Sequence, residues 1–348
     1  MSDGGDRTGR DGPVDDGGDA GLTRPAEERA GDQLRQVSGS REGPGGMKKP
    51  AGPNLRGVVD GVAEELRAGG VEENVRREAE RLVCHALGLD RHELALGDDA
   101  PRLGAEEAGR LARALRRRLD GEPLQHIEGT VQFRELTLLC DRRALIPRPE
   151  TEQLVERVAQ WIRGEVGEGG PRDVERALDI GTGSGAIALS LLYEGLAREA
   201  LGLDVSREAL QLAGQNRDRV GGIDDERLEL RLASSPLWNS VSSSERFDLV
   251  VSNPPYVSDG EMEDLPEEVR DYEPETALAG GPDGMDVIRE ILGRGARYLR
   301  PGGALFLEIG EDQGEAVRRL ASGTGEWSRV EVGRDLAGRD RFVRLHAD

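Results

Sequence analysis

The hydrophobic pattern divides the chain into a polar leader, a helical region and a region of alternating strands and helices. Residues 1 to about 46 contain hardly an apolar residue, so we expect residues 1–52 to form a disordered tail. Met47 follows the leader directly, and one hypothesis is that translation starts there. From Leu55 to about Leu119, apolar residues recur at helical spacing, which predicts a small helical domain over residues 53–120.

A connecting segment over residues 121–146 is predicted next. Residues 121–129 open it as an extended stretch, and a short hairpin is expected to follow. The hairpin is indicated by the apolar residues Val131, Phe133, Leu136, Leu138 and Cys140. We interpret this segment as the linker between two domains. Arg148 then lies between two prolines, in a rigid loop that holds its cation outward, although a plain linker explains it as well.

Residues 147–348 alternate between helices and strands, which predicts an α/β, doubly wound, Rossmann-like parallel sheet. The helices are predicted over residues 152–162, 186–192 and 207–216. The strands are predicted over residues 176–180, 200–204, 228–232, 247–251 and 304–309, the last after a turn at 300–303. Two more strands, near 330–332 and 342–345, are expected as a hairpin at a sheet edge.

A glycine-rich turn, Gly181-Thr182-Gly183-Ser184-Gly185, follows the first strand of this sheet and opens a helix. The next strand ends on Asp204. This arrangement is typical of a nucleoside cofactor site at the carboxyl edge of a doubly wound sheet. The glycines let the backbone come close to the ligand, and the Asp204 carboxylate can accept both ribose hydroxyls. The turn alone leaves a dinucleotide and S-adenosylmethionine as alternatives.

The tetrapeptide Asn253-Pro254-Pro255-Tyr256 ends a later strand and favours the methyl donor. The two prolines fix φ and remove two backbone donors, so the corner presents mainly acceptors. These acceptors are the Asn253 side-chain carbonyl and the Pro254 main-chain carbonyl. Such a pair can hold both N–H groups of a planar amino group and leave its lone pair pointing outward, as alkylation of an amide or exocyclic amine requires. The alternative is a proline-rich turn after a buried strand.

Composition narrows the classes of partner. The formal net charge is -21, and Lys48 and Lys49 are the only lysines, which argues against a general nucleic-acid surface. Cys84 and Cys140 lie outside any CxxC pattern, and the four histidines show no ligand spacing, so no metal site is expected. No apolar run approaches the length of a membrane span, and we expect a cytoplasmic protein.

Several segments together resemble the peptide chain release factor N5-glutamine methyltransferase family (PrmC/HemK), and the resemblance runs from about residue 55 to the end. The matching segments are residues 121–124, 145–152, 179–185, 252–256, 272–274, 277–278, 280–284 and 308–310. The resemblance implies a class I methyltransferase sheet, S-adenosylmethionine as methyl donor and release factors as the protein partner. It also implies that the N-terminal helices help to hold the release factor.

The resemblance also implies roles for individual residues. The donor's methionine portion would be lined by Gly181, Thr182, Gly183, Ser184 and Gly185, and its ribose would be bound by Asp204. Asn253 would contact both donor and substrate, and the substrate glutamine would be framed by Pro254, Pro255 and Tyr256, with Arg148 as a further substrate contact.

One stretch departs from the family. Where relatives usually carry an acidic residue and then a bulky one, this chain reads Ala233-Ser234-Ser235-Pro236-Leu237-Trp238. We expect Trp238 to pack on the adenine, while no acid is available for the adenine amino group.

The hypothesis for the reaction is in-line transfer of methyl to an amide nitrogen oriented by Asn253 and the Pro254 carbonyl. Asp179 is expected to orient the donor loop, and Glu308 to be structural. The competing interpretations are a DNA or RNA N6-adenine methyltransferase and a non-catalytic binding module. A nucleic-acid methyltransferase would need a basic surface, which this acidic chain lacks. A non-catalytic module would be expected to have lost the glycine-rich turn or the Asn-Pro-Pro-Tyr turn, whereas both are intact. No sequence feature fixes the oligomeric state, and a monomer is the expectation.

Overall fold

The computed structural model describes residues 55–94, 103–166 and 170–347. The predicted tail, residues 1–52, lies outside the described residues. Five helices come first in the described chain: α1 (Leu55–Ala68), α2 (Val75–Leu87), α3 (Arg91–Leu94), α4 (Ala105–Leu119) and α5 (Leu124–Glu128). Along α1, Val58, Val62 and Leu66 lie on one buried face, as their spacing predicts. The helices α1, α2, α4 and α5 enclose one hydrophobic cluster of their own.

Helix α5 differs from the extended stretch predicted over residues 121–129. Pro123 precedes the helix, where its missing N–H costs nothing, and Gly129 ends the helix with a φ of 71°. Leu124 and Ile127, three positions apart, both enter the hydrophobic cluster of the preceding helices. Burial of this apolar face against α2 and α4 therefore outweighs the local preference for an extended chain.

The predicted hairpin is present as β1 (Thr130–Phe133) and β2 (Leu136–Leu139), and its buried side chains belong to a core of the α/β part. The helices that follow are α6 (Pro149–Ile162), α7 (Ala186–Tyr193), α8 (Arg207–Val220), α9 (Glu267–Arg270), α10 (Asp286–Arg294) and α11 (Gly314–Thr324). The strands that follow are β3 (Arg176–Ile180), β4 (Glu199–Asp204), β5 (Leu228–Leu232), β6 (Phe247–Ser252), β7 (Leu299–Glu308), β8 (Trp327–Arg334) and β9 (Asp340–Ala347).

The predicted doubly wound sheet is confirmed. Its strand order is β5-β4-β3-β6-β7-β9-β8. Strands β3 to β7 pair in parallel, and β9 pairs antiparallel with both β7 and β8, so the expected terminal hairpin forms one edge. Separate hydrophobic cores cover the two faces of the sheet, with Ala177 of β3 in one and Leu178 in the other.

The predicted turn at residues 300–303 lies inside β7. The pairing of β6 with β7 jumps from Phe247 opposite Leu299 to Leu249 opposite Ala304. Four residues therefore bulge out between two paired positions, and the strand continues on both sides of the bulge. The glycines of the predicted turn provide the conformations that this bulge needs.

Because β3, β4, β6 and β7 are parallel, their carboxyl ends meet at one edge of the sheet. These ends are Ile180, Asp204, Ser252 and Glu308. Among the described residues, no helix combines the length and the apolar character that crossing a membrane would require.

Candidate active site

A cavity of about 640 Å³ opens at the carboxyl edge of the sheet. Its wall includes Ile180 at the end of β3, residues 181–184 after it, Asp204 at the end of β4, and Asn253 and Pro255 after β6. Residues 274–277, before α10, close another side. The cavity has the size of pockets that hold small-molecule ligands, and its wall joins most of the predicted donor loop to part of the predicted acceptor corner.

The glycine-rich turn has the backbone that its sequence predicts. Gly181, Gly183 and Gly185 have φ values of 71°, 56° and 83°, in the region that side chains rarely adopt. At Gly185 space is limited as well: a Cβ atom would lie 3.2 Å from Leu189 Cδ1 and 3.3 Å from Ala213 Cβ. Glycine is therefore needed there both for the turn and for close packing of α7.

Asp179, near the end of β3, holds the glycine-rich turn in place through hydrogen bonds. Its Oδ2 accepts a hydrogen bond from Thr182 Oγ1 at 2.7 Å and another from the Ala188 N–H at 3.2 Å. The carboxyl is fully buried, and burial raises its pKa to about 7. The predicted orienting role of Asp179 agrees with these contacts, which join the end of β3 to the turn and to the start of α7.

Asp204 ends β4, the strand next to β3, and also contacts the turn. Its Oδ2 accepts from the Gly183 N–H, and its Oδ1 accepts from the Ser206 N–H, both at 2.8 Å. Burial raises the pKa of this carboxyl. Each carboxylate oxygen has a further lone pair, so the group can still accept hydrogen bonds from a ribose. A left-handed glycine backbone facing an anchored carboxylate fits a nucleoside ligand.

Asn253 is held in one orientation by a chain of hydrogen bonds. Its Nδ2 donates to Thr151 Oγ1 at 3.0 Å, and that hydroxyl donates to Glu308 Oε2 at 2.8 Å. Because the amide nitrogen donates to Thr151, the amide oxygen remains as the acceptor that Asn253 can offer a ligand. Ser252 Oγ also donates to the Ile180 carbonyl, at 2.7 Å, which ties β6 to β3 just before this corner.

Glu308 is the buried end of this chain of hydrogen bonds. It is 1% exposed, and burial raises its pKa to about 7. The Tyr256 hydroxyl lies 3.5 Å from its Oε1, and burial raises the pKa of that phenol to about 12. The sequence interpretation treated Glu308 as structural and missed Thr151. Both residues lie in segments that resemble the family, Thr151 in 145–152 and Glu308 in 308–310, but nothing in those segments indicated that the two side chains meet Asn253.

Three other predicted substrate residues do not line the cavity. Pro254 is buried, and Tyr256 reaches toward Glu308. Arg148 Nη2 donates to the buried Glu273 Oε1 at 2.5 Å, beside a smaller cavity between the helical and α/β parts. Their contacts with the substrate stay predictions.

The prediction that Trp238 packs on the adenine is wrong. Its indole is 1% exposed in one core of the sheet and stacks on Tyr298, with ring centroids 4.5 Å apart. It belongs to a short 3₁₀-helix, Leu237–Ser240, in which successive side chains point in different directions. Leu237 consequently lines the cavity, and Trp238 enters the core behind it.

Comparisons with known proteins agree with this geometry. Residues 58–129 match the family described as "PrmC N-terminal domain", and residues 170–268 match "Methyltransferase small domain". The chain is 41% identical over 278 residues to the "Release factor glutamine methyltransferase" of Cereibacter sphaeroides, covering 80% of this chain and 93% of that protein. It is 38% identical over 296 residues to the protein of the same name from Geobacter sulfurreducens, covering 85% and 98%.

A third relative of that name, from Moorella thermoacetica, is 39% identical over 287 residues and covers 82% of this chain and 96% of its own length. Agreement of this extent spans both the N-terminal helices and the α/β sheet. It therefore covers the cavity together with the helices beside it. The chain belongs to the release factor glutamine methyltransferase family.

Proposed function

We propose that this protein transfers a methyl group from S-adenosylmethionine to the side-chain amide nitrogen (N5) of the glutamine in the Gly-Gly-Gln motif of peptide chain release factors. The transfer would modulate translation termination. The relatives that cover most of the chain carry the name of this activity. The single observation that carries the proposal is the orientation of Asn253, whose nitrogen is engaged by Thr151.

The acceptor amide is a weak nucleophile because its nitrogen lone pair is delocalised into the carbonyl. In the proposed complex its N–H groups donate to Asn253 Oδ1 and to the Pro254 carbonyl. These bonds localise charge on nitrogen and aim its lone pair at the methyl group. The N–C bond forms as the C–S bond breaks, and the proton leaves the positively charged nitrogen for water. Orientation of this kind can supply about 7–11 kcal/mol in well-arranged systems.

The cavity residues fit the proposed donor, which supplies an electrophilic methyl group when bound. Gly181, Thr182, Gly183, Ser184 and Gly185 would line its methionine portion. Asp204 would accept hydrogen bonds from its ribose hydroxyls. The glycine backbone and the Asp204 carboxylate are joined through the Gly183 N–H, so the two parts of the cradle keep a fixed spacing.

The proposal includes the partner and the setting. We infer that the N-terminal helices help to hold the release factor and that the protein acts as a cytoplasmic monomer, without binding DNA. The net charge of -21 supports the absence of a nucleic-acid surface. The match of residues 58–129 to a domain specific to this family supports a role of the helices in substrate recognition.

The test is transfer of radiolabelled methyl from S-adenosylmethionine to a purified release factor. A release factor whose Gly-Gly-Gln glutamine is changed to alanine is the matched control, and double-stranded DNA is assayed in parallel. Label on the unaltered factor alone is expected and identifies substrate and atom together. Label on DNA and none on protein would show an adenine methyltransferase instead.

Asn253→Ala tests the role of the amide. We expect the turnover rate to fall by at least about 100-fold, since oriented hydrogen-bonding groups of this kind commonly contribute that much. Binding of S-adenosylmethionine, measured by calorimetry, should persist. An Asn253→Ala protein with the donor bound and nearly full activity would contradict the proposed mechanism.

A further inference from the structure

Glu290 lies in the wall of the large cavity although no sequence motif points to it. It belongs to α10, and its carboxylate Oε1 accepts a hydrogen bond from the Leu237 N–H. Leu237 also lines the cavity, and it belongs to the stretch over residues 233–238 that lacks the acidic residue expected from the resemblance. The cavity wall therefore contains a carboxylate next to this stretch, and helix α10 supplies it.

The main chain at Glu290 is held firmly. Trp238 Nε1 donates to the Glu290 carbonyl at 2.8 Å, and the indole stacks on Tyr298 with the two ring planes 8° apart. The buried tryptophan thus fixes the turn of α10 that carries Glu290. The Glu290 side chain lines the cavity while its backbone is held by this bond, which is what a precise recognition group needs.

We propose that Glu290 is the adenine-recognition residue of this protein, with its carboxylate accepting a hydrogen bond from the exocyclic N6 amino group. The adenine amino group needs an acceptor, and the Glu290 carboxylate provides one in the cavity wall, oriented by the hydrogen bond from the Leu237 N–H. An ionised carboxylate has lone pairs for about four hydrogen bonds, so the bond from Leu237 leaves capacity for N6.

The neighbouring groups support this assignment. Asp204, assigned to the ribose, lines the same cavity as Glu290, so one ligand can meet both carboxylates. Ala233, Ser234 and Ser235, which also line the cavity, contribute no carboxylate. The inference rests on the proposed use of S-adenosylmethionine and adds the group that distinguishes adenine from other bases.

The measurement is the affinity of the protein, without release factor, for S-adenosylhomocysteine and for S-inosylhomocysteine, by calorimetry. In the inosine compound a carbonyl replaces the amino group, so the Glu290 carboxylate meets an acceptor instead of a donor. We expect the unaltered protein to prefer the adenine compound by about 10- to 100-fold, the range of one hydrogen bond to a charged group.

Glu290→Gln keeps the size of the side chain and can donate to the inosine carbonyl. We expect its preference to shrink to about threefold or less, mainly through weaker binding of the adenine compound. Asp286→Asn, an exposed acid on the same helix that does not line the cavity, is the matched control and should keep the full preference.

A structural role of Glu290 would lower both affinities by the same factor, and that result would overturn the assignment. An unchanged preference in Glu290→Gln would overturn it equally. If the unaltered protein bound neither compound, the proposed methyl donor would itself be wrong, so failure of the donor and failure of the Glu290 assignment give different results.

Discussion

Thr151 Oγ1 lies 3.0 Å from Asn253 Nδ2, although 102 residues separate the two in the sequence. The hydroxyl comes from the first turn of α6 and the amide from the loop after β6. Thr151 accepts from Asn253 and donates to Glu308, so a single hydroxyl decides which face of the Asn253 amide is turned to the cavity. The orientation of the proposed acceptor group therefore depends on a helix outside the acceptor corner.

Thr151→Val keeps the shape of the side chain but removes the hydroxyl. We expect the turnover rate on a release factor to fall by about 10- to 100-fold, because the Asn253 amide loses its orienting partner. The dissociation constant for S-adenosylmethionine should change by less than about threefold, since the two hydrogen bonds that are lost, with Asn253 and with Glu308, do not involve the donor loop. Thr151→Ser, which restores the hydroxyl, is the control and should retain most of the activity. Equal turnover in the valine and serine variants would contradict the role given to Thr151.

Glu308→Gln tests the buried carboxyl through the pH dependence of stability. The pKa of Glu308 in the folded protein is raised from its ordinary value of 4.5 to about 7 by burial. A raised pKa means that the folded state binds the proton more tightly than the unfolded state. The contribution of Glu308 to stability is therefore full below about pH 4.5 and is lost as the pH rises to about 7.

The glutamine variant has no such loss. We expect its free energy of unfolding, relative to the unaltered protein, to increase by about 3 kcal/mol between pH 4.5 and pH 8. Urea unfolding at several pH values measures this difference, and the similarly shifted Asp179 cancels because both proteins contain it. A difference that stays constant with pH would show that Glu308 ionises in the folded protein as easily as in the unfolded chain.

Gly185→Ala should weaken both the fold and the binding of the donor. The position combines a φ of 83° with close contacts to Leu189 and Ala213, whereas Gly195 has a φ of 67° and open space around its Cβ position. In both alanine variants the left-handed backbone is expected to lower the free energy of unfolding by about 1–2 kcal/mol. Gly185→Ala should lose about 1–3 kcal/mol more through overpacking, and it alone should bind S-adenosylmethionine more weakly. Thermal unfolding and calorimetry provide the two readouts, and equal losses in the two variants would argue against the close packing.

Contacts between the helical and α/β parts allow a test of whether the N-terminal helices help to bind the release factor. Arg118 on α4 donates to Glu268 on α9 at 3.1 Å, and the Tyr272 hydroxyl donates to the Asp120 carbonyl at 2.7 Å. We expect the double variant Glu268→Gln, Tyr272→Phe to raise the KM for an intact release factor by about three- to tenfold, because each lost contact is worth up to about 1 kcal/mol.

Activity on a short Gly-Gly-Gln peptide, which is too small to reach the N-terminal helices, should be unchanged in the same variant. Glu315→Gln, which removes an exposed ion pair elsewhere, is the control for lost charge. If the KM for the peptide rose together with that for the intact factor, the contacts would act on the catalytic cavity and not on the holding of the partner.

The sequence predicted the parts of the fold that depend on local pattern. Strand Arg176–Ile180 and the strand over residues 228–232 have the predicted bounds, and Asp204 ends its strand as expected. Periodic burial and turn glycines determine these features, so a single sequence contains them. Helix α5 was missed because its five residues are stabilised by burial against neighbouring helices, which no local pattern records.

The candidate site divides in the same way. The glycine turn and Asn253 belong to short continuous motifs and were found. Thr151, Glu308 and Glu290 contribute through contacts across the fold, over separations of 157 residues for Thr151 with Glu308 and 53 for Leu237 with Glu290. Trp238 was misplaced because sequence reasoning located its backbone near the cavity but not the direction in which its side chain leaves a 3₁₀-helix.

The buried position of Trp238 also gives the molecule an internal optical probe. All three tryptophans are buried, and among them Trp238 holds the carbonyl of a residue in the cavity wall through its ring N–H. Its emission therefore depends on the polarity and hydrogen bonding of a single turn next to the proposed adenine position. Because Trp161 and Trp327 also emit, a variant that keeps Trp238 as its only tryptophan is expected to follow the filling of the cavity by intrinsic fluorescence, without a label.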